Sequence, residues 1–523
     1  MTLVSFLLSG YLPLYNNNIY HTPILLKTYD LPQFANDAFV QSLRYFSSGF
    51  WIVFAGAGFY VNVKVFFAIW LVVTHFGFLA ASLHFAQSTG LRDRVQLNIF
   101  SLLICCSPLL YGIAVGGGGL MLNYFTHSEL ANAGLLLGIS YAIRGRYGYC
   151  AVAVCATFFL NAFMAVWMLP PIVLLTAYHL LSGKISLRRY LMNAASGSVV
   201  GSLFLIVPIL NVLHNPDAGD VGDFSYQEFL WSFFPNHFFF SSLAYKELCL
   251  VAISIAGLFL TARLYGRYAG EMLMLALGCV VLLFMAAVVP MITDSRMALN
   301  LHLVRGFVMI AILAALSLAI VASRWITERG NYYLTSLGLV MAAALTIHKY
   351  GITIAVAVLL VELTARYSAV SAALLRQKAV RPVIWICLFG SFVSVLIRSA
   401  NAVDDSANGI AFESTWERVG TWASHSTPAN SIFQVPHDAA PAFSYASNRR
   451  LWFDSKYGAA VMWSPSYHQI WQTRHAAGAD LSDFRQSIHE SDGQIDYVAT
   501  ECSGQIDKVP EYKEDDICVY KTK

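Results

Sequence analysis

Two carboxylates, Asp30 and Asp37, sit in a polar, aromatic stretch from Asn16 to Gly49 that follows the first apolar segment of the chain. Asp37, within Phe34-Ala35-Asn36-Asp37-Ala38-Phe39, directly precedes an amphipathic run. A carboxylate there is placed either to take a proton from an incoming hydroxyl or to cap the helix that follows. Asp30 reads as a second candidate acid or as a solvated turn residue. Four further groups carry chemistry: His127/Glu129, His237/Lys246, Asp294/Arg296/His302/Arg305 and His348/Lys349. Glu129 is either a supporting acid or a first-turn carboxylate favoured by the helix dipole. His302 and Arg305, three positions apart, would share a helical face. There they would grip an anion, anchor the chain at an interface or pair with Asp294. His237 lies in Phe234-Pro235-Asn236-His237-Phe238. His75, His84 and His179 fall inside apolar runs and read as packing residues, and Glu362 pairs with Arg366 at helical spacing.

The elements that must position these groups are membrane spans. The chain has 523 residues, 57% of them apolar and only 12% charged, where soluble domains average about a quarter charged. The net charge of +3 gives no support for nucleic-acid binding. Apolar runs of about 20 residues cross a bilayer. They are expected at 62–87, 95–115, 128–143, 147–166, 168–182, 191–213, 248–265, 270–290, 303–322, 331–348, 350–365 and 382–398, with a shorter one at Leu3–Tyr15. The total is about thirteen, with breaks expected around Pro170-Pro171. Leu3–Tyr15 lacks a preceding basic region and a cleavage site, so it does not read as a signal peptide. Lys and Arg collect in alternate loops, at Arg92/Arg94, Arg144/Arg146, Lys184/Arg188/Arg189, Arg263/Arg267, Arg324/Arg329, Arg366 and Arg376/Lys378/Arg381. The positive-inside rule places these in the cytoplasm. It turns loops 16–61, 116–127, 214–247 and 291–302 outward, together with residues 400–523.

Residues 1–399 thus read as a transmembrane domain with two long outer loops, 16–61 and 214–247. From about residue 400 the chain becomes polar, yet Trp416, Trp422, Trp452, Trp463 and Trp471 demand a core. β-rich runs at Ser431–Val435, Tyr497–Thr500 and Ile517–Tyr520 alternate with helix-like Ser414–Ser424 and Leu481–Ser491. The expectation is a small outward α/β domain of about 120 residues. Loop 214–247 mixes seven aromatics between Phe224 and Phe238 with acids and His237, a composition suited to the membrane–water interface. Seven of nine cysteines fall in apolar spans, while Cys502 and Cys518 lie outward, where a disulfide is permitted but not required. No Cys/His spacing suggests zinc. There is no internal repeat, and the only low-complexity tract is Gly116–Gly119.

Outward acids combined with cations at the headgroup level fit one reaction well: glycosyl transfer from a polyprenyl-phosphate sugar. A base deprotonates the acceptor hydroxyl, and cations meet the departing phosphate. Arg suits that task through its planar fork. The candidate phosphate binders are His237, Lys246, Arg296, His302 and Arg305, and the candidate acids are Asp37, Glu129 and Asp30.

The layout resembles the GT-C superfamily of membrane glycosyltransferases. The likeness rests on the loop plan at 16–61, 214–247 and 400–523 and on local echoes. These are Asn36-Asp37 closing the first loop, Arg144-Gly145-Arg146, Pro235-Asn236-His237, and Trp422 followed by Ser426-Thr427-Pro428-Ala429-Asn430-Ser431. The resemblance implies a bacterial inner-membrane enzyme with a cytoplasmic N-terminus and a periplasmic C-terminal domain. It would use a polyprenyl-phosphate-linked sugar, invert the anomeric carbon, and act on a glycan, lipid or protein acceptor without an obligate metal or other cofactor. One departure stands out. Many such enzymes hold an acid immediately after the first span, where this chain has Asn16-Asn17-Asn18 and then His21. Asparagine is no base, so that role moves to Asp37 or Asp30, or catalysis is lost. Two rivals remain. Surface-polysaccharide polymerases and ligases use Arg-rich outer loops, and here the long loops hold only Arg44. Transporters or flippases place charges near the midplane and carry repeats.

Overall fold

The computed structural model describes residues 1–217, 224–365, 380–478, 493–502 and 508–522. Asp220, Asp223, Arg366, Arg376, Lys378 and the expected helix at 481–491 lie outside the described residues. The chain opens with α1 (Thr2–Ser9), which stops at Gly10 (φ 75°), so the apolar opening is one short helix rather than a run to Tyr15. The first long loop is a chain of short helices, α2 (Asn18–Leu25), α3 (Ala38–Ser42) and α4 (Gly49–Val53), joined by 3-10 turns, two before α3 and one after it.

The bundle follows: α5 (Val63–Ser88), α6 (Arg94–Cys106), α7 (His127–Ile143), α8 (Tyr147–Leu160), α9 (Ala162–Trp167), α10 (Leu169–Leu181) and α11 (Leu187–His214). The second long loop carries α12 (Tyr226–Phe233) and α13 (Pro235–Phe238). After it come α14 (Tyr245–Ala262), α15 (Ala269–Ile292), α16 (Arg296–Leu299), α17 (Phe307–Ile326), α18 (Tyr332–Ile347), α19 (Gly351–Ala365) and α20 (Val380–Ser426). Among the described residues six helical runs are long and apolar enough to cross a membrane, with four shorter apolar helices beside them. The break expected at Pro170-Pro171 falls instead at Asn161, whose side chain accepts from Phe163 N (3.0 Å) and starts the run Ala162–Leu181. The prolines stand in the first turn of α10, where no intrahelical N–H is needed.

The run ending in α17 is 94% buried, whereas that of α11 is 17% buried. A helix apolar on every side belongs in the middle of the bundle, so α17 is the axis and α11 an edge. In lipid, close backbone approach rather than apolar burial drives helix association. Gly197 and Gly201 provide it, since a Cβ on Gly197 would stand 2.1 Å from the Gly148 carbonyl oxygen of α8.

No break occurs at residue 400. α20 runs on for 47 residues to Ser426 and carries the chain into the terminal domain. There β3 (Ile432–Gln434), β4 (Arg450–Leu451), β5 (Tyr497–Glu501), β6 (Tyr512–Glu514) and β7 (Ile517–Lys521) form one mixed sheet in the order β4-β3-β5-β7-β6. β3 pairs in parallel with β4 and β5, and β7 runs antiparallel to β5 and β6. α21 (Ala440–Ser447) packs against α20, and Cys502 is bonded to Cys518. The strands expected at 431–435, 497–500 and 517–520 are all present.

The first loop and the terminal domain share a core. Phe39 stacks on Tyr457 (3.6 Å), and the Trp463 indole N–H donates to the Ser42 carbonyl (3.0 Å). Loop 214–247 joins the same assembly. Phe224 stacks on His468 (3.6 Å), and Asp217 Oδ2 accepts from Ser466 Oγ (2.5 Å) and from Ser464 Oγ.

Candidate functional site

The groups that meet at one end of the bundle come from five stretches of chain. The first loop brings Tyr15, Asn16, Tyr20, His21 and Trp51. A short hairpin, β1 (Gly112–Ile113) and β2 (Gly119–Leu120), brings Gly116-Gly117 and leads into Tyr124, His127 and Glu129. The second long loop brings His237, the turn before α17 brings His302 and Arg305, and the terminal domain brings His437, Asp454 and Lys456.

Arg305 is the centre. It sits in a 3-10 turn (Leu303–Gly306) that leads into the axial helix α17, and it acts electrostatically on Tyr124, His127, His237 and Lys456. Its Nε is buried without a hydrogen-bond partner, and it forms no ion pair among the described residues. Lys456 likewise has no ion-pair partner among them, and its ammonium lies 4.9 Å from the Phe234 ring. Burial holds Lys456 below the usual lysine range against the opposing pull of Asp454, and Arg305 adds to the lowering. Two neighbouring cations without an ion-pair contact among the described residues are expensive to bury, and Asp454 compensates only Lys456 from a distance, so the pair can receive an anion. His237 stacks on Phe234 (4.9 Å, 13° between planes) and its Nε2 lies against Gly117 of the hairpin. Burial first, then Arg305, His302 and Lys456, keep it well below the ordinary histidine range, so it is neutral.

Beneath the cations lies an aromatic floor. The Trp51 indole N–H donates to His127 Nδ1 (2.8 Å), and an indole nitrogen only donates. His127 therefore accepts at Nδ1, which leaves Nε2 to carry the proton. His21 stacks on Trp51 (4.1 Å, 13°) and meets Asn18 Oδ1 through Nδ1 (3.2 Å). Burial and then His127 hold His21 well below its ordinary range. Glu129 stands in the first turn of α7, with Oε1 accepting from Leu122 N (2.6 Å) and Oε2 buried and unpartnered.

The structure thus gathers Glu129, His237, His302 and Arg305 and leaves the other sequence candidates elsewhere. His302 does not share a helical face with Arg305. It is a left-handed residue (φ 48°) just before the turn, with its ring between Phe163 (4.6 Å) and Phe238 (4.5 Å) and Nδ1 donating to the Asn300 carbonyl (2.5 Å). Asp30 pairs with Arg44 (2.8 Å) on the surface. Arg296 opens α16 near Tyr226. Lys246 joins Lys349 beside a cavity of about 170 Å³ floored by Leu109, Leu250, Val251, Phe307 and Ile310.

Asp37 caps α3, accepting from Val40 N (3.0 Å). It faces Tyr457, Tyr467, Arg450 and Arg474 under the terminal domain, not the Arg305 group. Burial raises its carboxyl above the usual range. Asn caps a helix as well as Asp but takes no proton. Asp37→Asn is therefore expected to keep wild-type turnover in any assay the wild type supports, while Asp37→Ala lowers stability by about 1 kcal/mol. A collapse of turnover in the Asn variant would restore Asp37 as the base.

Lys456, His437, Asp454, Trp51 and Tyr124 were not singled out by sequence. The Gly116–Gly119 tract was the one local signal pointing at this wall. Among the described residues no cluster of His, Cys, Asp and Glu has the makings of a metal site.

No family model and no curated protein matches the sequence. Solved structures that align with the chain include ArnT from Cupriavidus metallidurans in the apo state. It is 12% identical over 99% of this chain and 96% of that one, with a TM-score of 0.48. The same ArnT bound to undecaprenyl phosphate aligns at 11% identity over 99% and 96%, TM-score 0.46. The Archaeoglobus fulgidus oligosaccharyltransferase in the apo form aligns at 10% over 96% and 68%, TM-score 0.41.

Proposed function

We propose that the chain is a membrane glycosyltransferase of the GT-C type, which moves a sugar from a polyprenyl-phosphate donor to a hydroxyl on a glycan, lipid or protein acceptor. The observation that carries this reading is the pair Arg305 and Lys456, two neighbouring cations that make no ion-pair contact among the described residues, beside the neutral imidazole of His237. A phosphate ester supplies the missing charge. As the acceptor oxygen bonds to the anomeric carbon, the bond from that carbon to the phosphate oxygen breaks. The electron pair stays on the phosphate, where Arg305 and Lys456 neutralise it. In-line attack inverts the anomeric carbon. His127, with its proton on Nε2, donates to a sugar or phosphate oxygen. Glu129 supports from below, and His302 holds the Arg305 turn in place.

The cavity beside Lys246 and Lys349 lies on the other side of the glycine hairpin, with Val115 in its wall. It takes the first isoprene units of the donor. The charge of the loops supports an orientation with the terminal domain on the side away from the cytoplasm, and the resemblance to GT-C enzymes implies a bacterial inner membrane with that domain in the periplasm.

The test is transfer by purified protein in nanodiscs, using radiolabelled polyprenyl-phosphate sugars and an acceptor-rich membrane extract. Label in a new product supports the reading. A well-folded sample that transfers from no donor overturns it and favours a polymerase, transporter or scaffold.

A further inference from the structure

The proposed transfer needs a base, and the place after the first apolar segment holds Asn16, Asn17 and Asn18. Three of the imidazoles around Arg305 are poorly suited. Burial and nearby positive or imidazole groups disfavour the imidazolium that His21 or His237 would form on taking a proton, and His127 already spends Nδ1 on the Trp51 indole. The terminal domain supplies a fourth with a different setting. His437, in the turn after β3, donates from Nδ1 to Asp454 Oδ2 (2.8 Å). Asp454 is 1% exposed and fixed by a second bond, Oδ1 accepting from Lys456 N (2.8 Å). The His437 side chain is 39% exposed, so Nε2 is free to meet a substrate while Nδ1 is held. Lys456 is electrostatically close both to His437 and to Arg305, which brings this imidazole to the rim of the phosphate site.

Resting on the glycosyltransferase reading, we propose that His437 is the general base of the transfer and that Asp454 is its positioning residue, so that the terminal domain takes over the task of the absent first-loop acid. His437 Nε2 accepts the proton of the acceptor hydroxyl as the oxygen bonds to the anomeric carbon and the sugar–phosphate bond breaks. The imidazolium then returns its proton to water. The buried carboxylate fixes the tautomer that leaves Nε2 unprotonated and stabilises the imidazolium that forms. The charged and titratable groups that bear on His437 are Asp454, Asp438 and Lys456. Tyr15 faces Asp438 and Tyr20 faces Asp454 from the first loop. The hydrogen bond to Asp454 raises the histidine above its ordinary range. The base must be neutral, so transfer falls at acid pH along a limb that sits above the position of an isolated histidine.

The experiment uses the full chain in nanodiscs. His437→Gln is expected to lower transfer about 10²- to 10⁴-fold with binding of a short-chain prenyl phosphate unchanged, and added imidazole is expected to restore part of the rate to His437→Ala. Asp454→Asn is expected to slow transfer and to move the acid limb to lower pH, because the imidazolium loses its carboxylate. A His437→Gln rate within twofold of wild type, or an unmoved acid limb in a folded Asp454→Asn variant, overturns the proposal while wild-type transfer keeps the parent reading. Wild-type protein that transfers from no donor overturns both.

Discussion

Replacing Arg305 by Gln is expected to cut transfer about a hundred- to a thousandfold while making the empty protein harder to unfold. Both effects come from one cause. The guanidinium is sequestered with its Nε unpartnered and no carboxylate in ion-pair range among the described residues. Keeping an uncompensated charge out of water costs stability, and removing it recovers that cost. During transfer the charge develops on the leaving phosphate, where a fixed donor in a dry site contributes about 3–4 kcal/mol, the equivalent of that rate loss. Glutamine keeps much of the length and the hydrogen-bonding capacity but not the charge, so the rate falls without an apolar hole. The check pairs initial rates with thermal unfolding in detergent. Without ligand the variant melts higher than wild type. With saturating prenyl phosphate the order reverses, because ligand stabilises the protein in proportion to its affinity. A variant that melts lower with and without ligand would show that Arg305 is structural. Lys456→Gln is expected to act in the same direction but more weakly, and the two changes will not add, since both cations serve one anion.

The architecture was legible where a single physical rule dominates. Apolar runs gave most of the helices. The five tryptophans beyond residue 400 announced a core, and the β-rich runs there are strands. Boundaries failed where a side-chain cap decides. Asn161 outweighs Pro170-Pro171 because its carbonyl takes two backbone N–H groups, of Phe163 and Met164, at the helix start. The site was half legible. Arg305, His237 and Glu129 were found because charges at span ends are rare and therefore visible. His302 was found for the wrong geometry, since spacing cannot reveal a left-handed residue. Lys456, Asp454 and His437 sit in a polar domain where charge is unremarked, and their relation to Arg305 is purely tertiary. Asp37 drew the eye by its place before an amphipathic run, and that is the place a capping residue occupies.

The hairpin at Gly116-Gly117 supplies the sharper test of geometry. Gly117 holds φ at +76°, and a Cβ there would stand 2.1 Å from His237 Nε2, closer than any side-chain carbon tolerates. Gly117→Ala must therefore turn the imidazole away from its stack on Phe234 and from the two cations. Displacing one group of a catalytic set by about 1 Å costs on the order of 10²-fold in rate, and that is the loss expected here. The strained backbone alone would add roughly 1 kcal/mol of destabilisation. The two contributions are separable because the same hairpin contains its own control. Gly112 has φ +83° and nothing within 4 Å of its notional Cβ. Gly112→Ala carries the same backbone penalty without the collision, so it is expected to melt about as low as Gly117→Ala yet transfer at close to the wild-type rate. Equal rate losses in the two variants would mean that the hairpin's backbone, not the placement of His237, governs activity. Loss confined to Gly117→Ala would tie the glycine tract to the imidazole, and through it to the anion that Arg305 and Lys456 await.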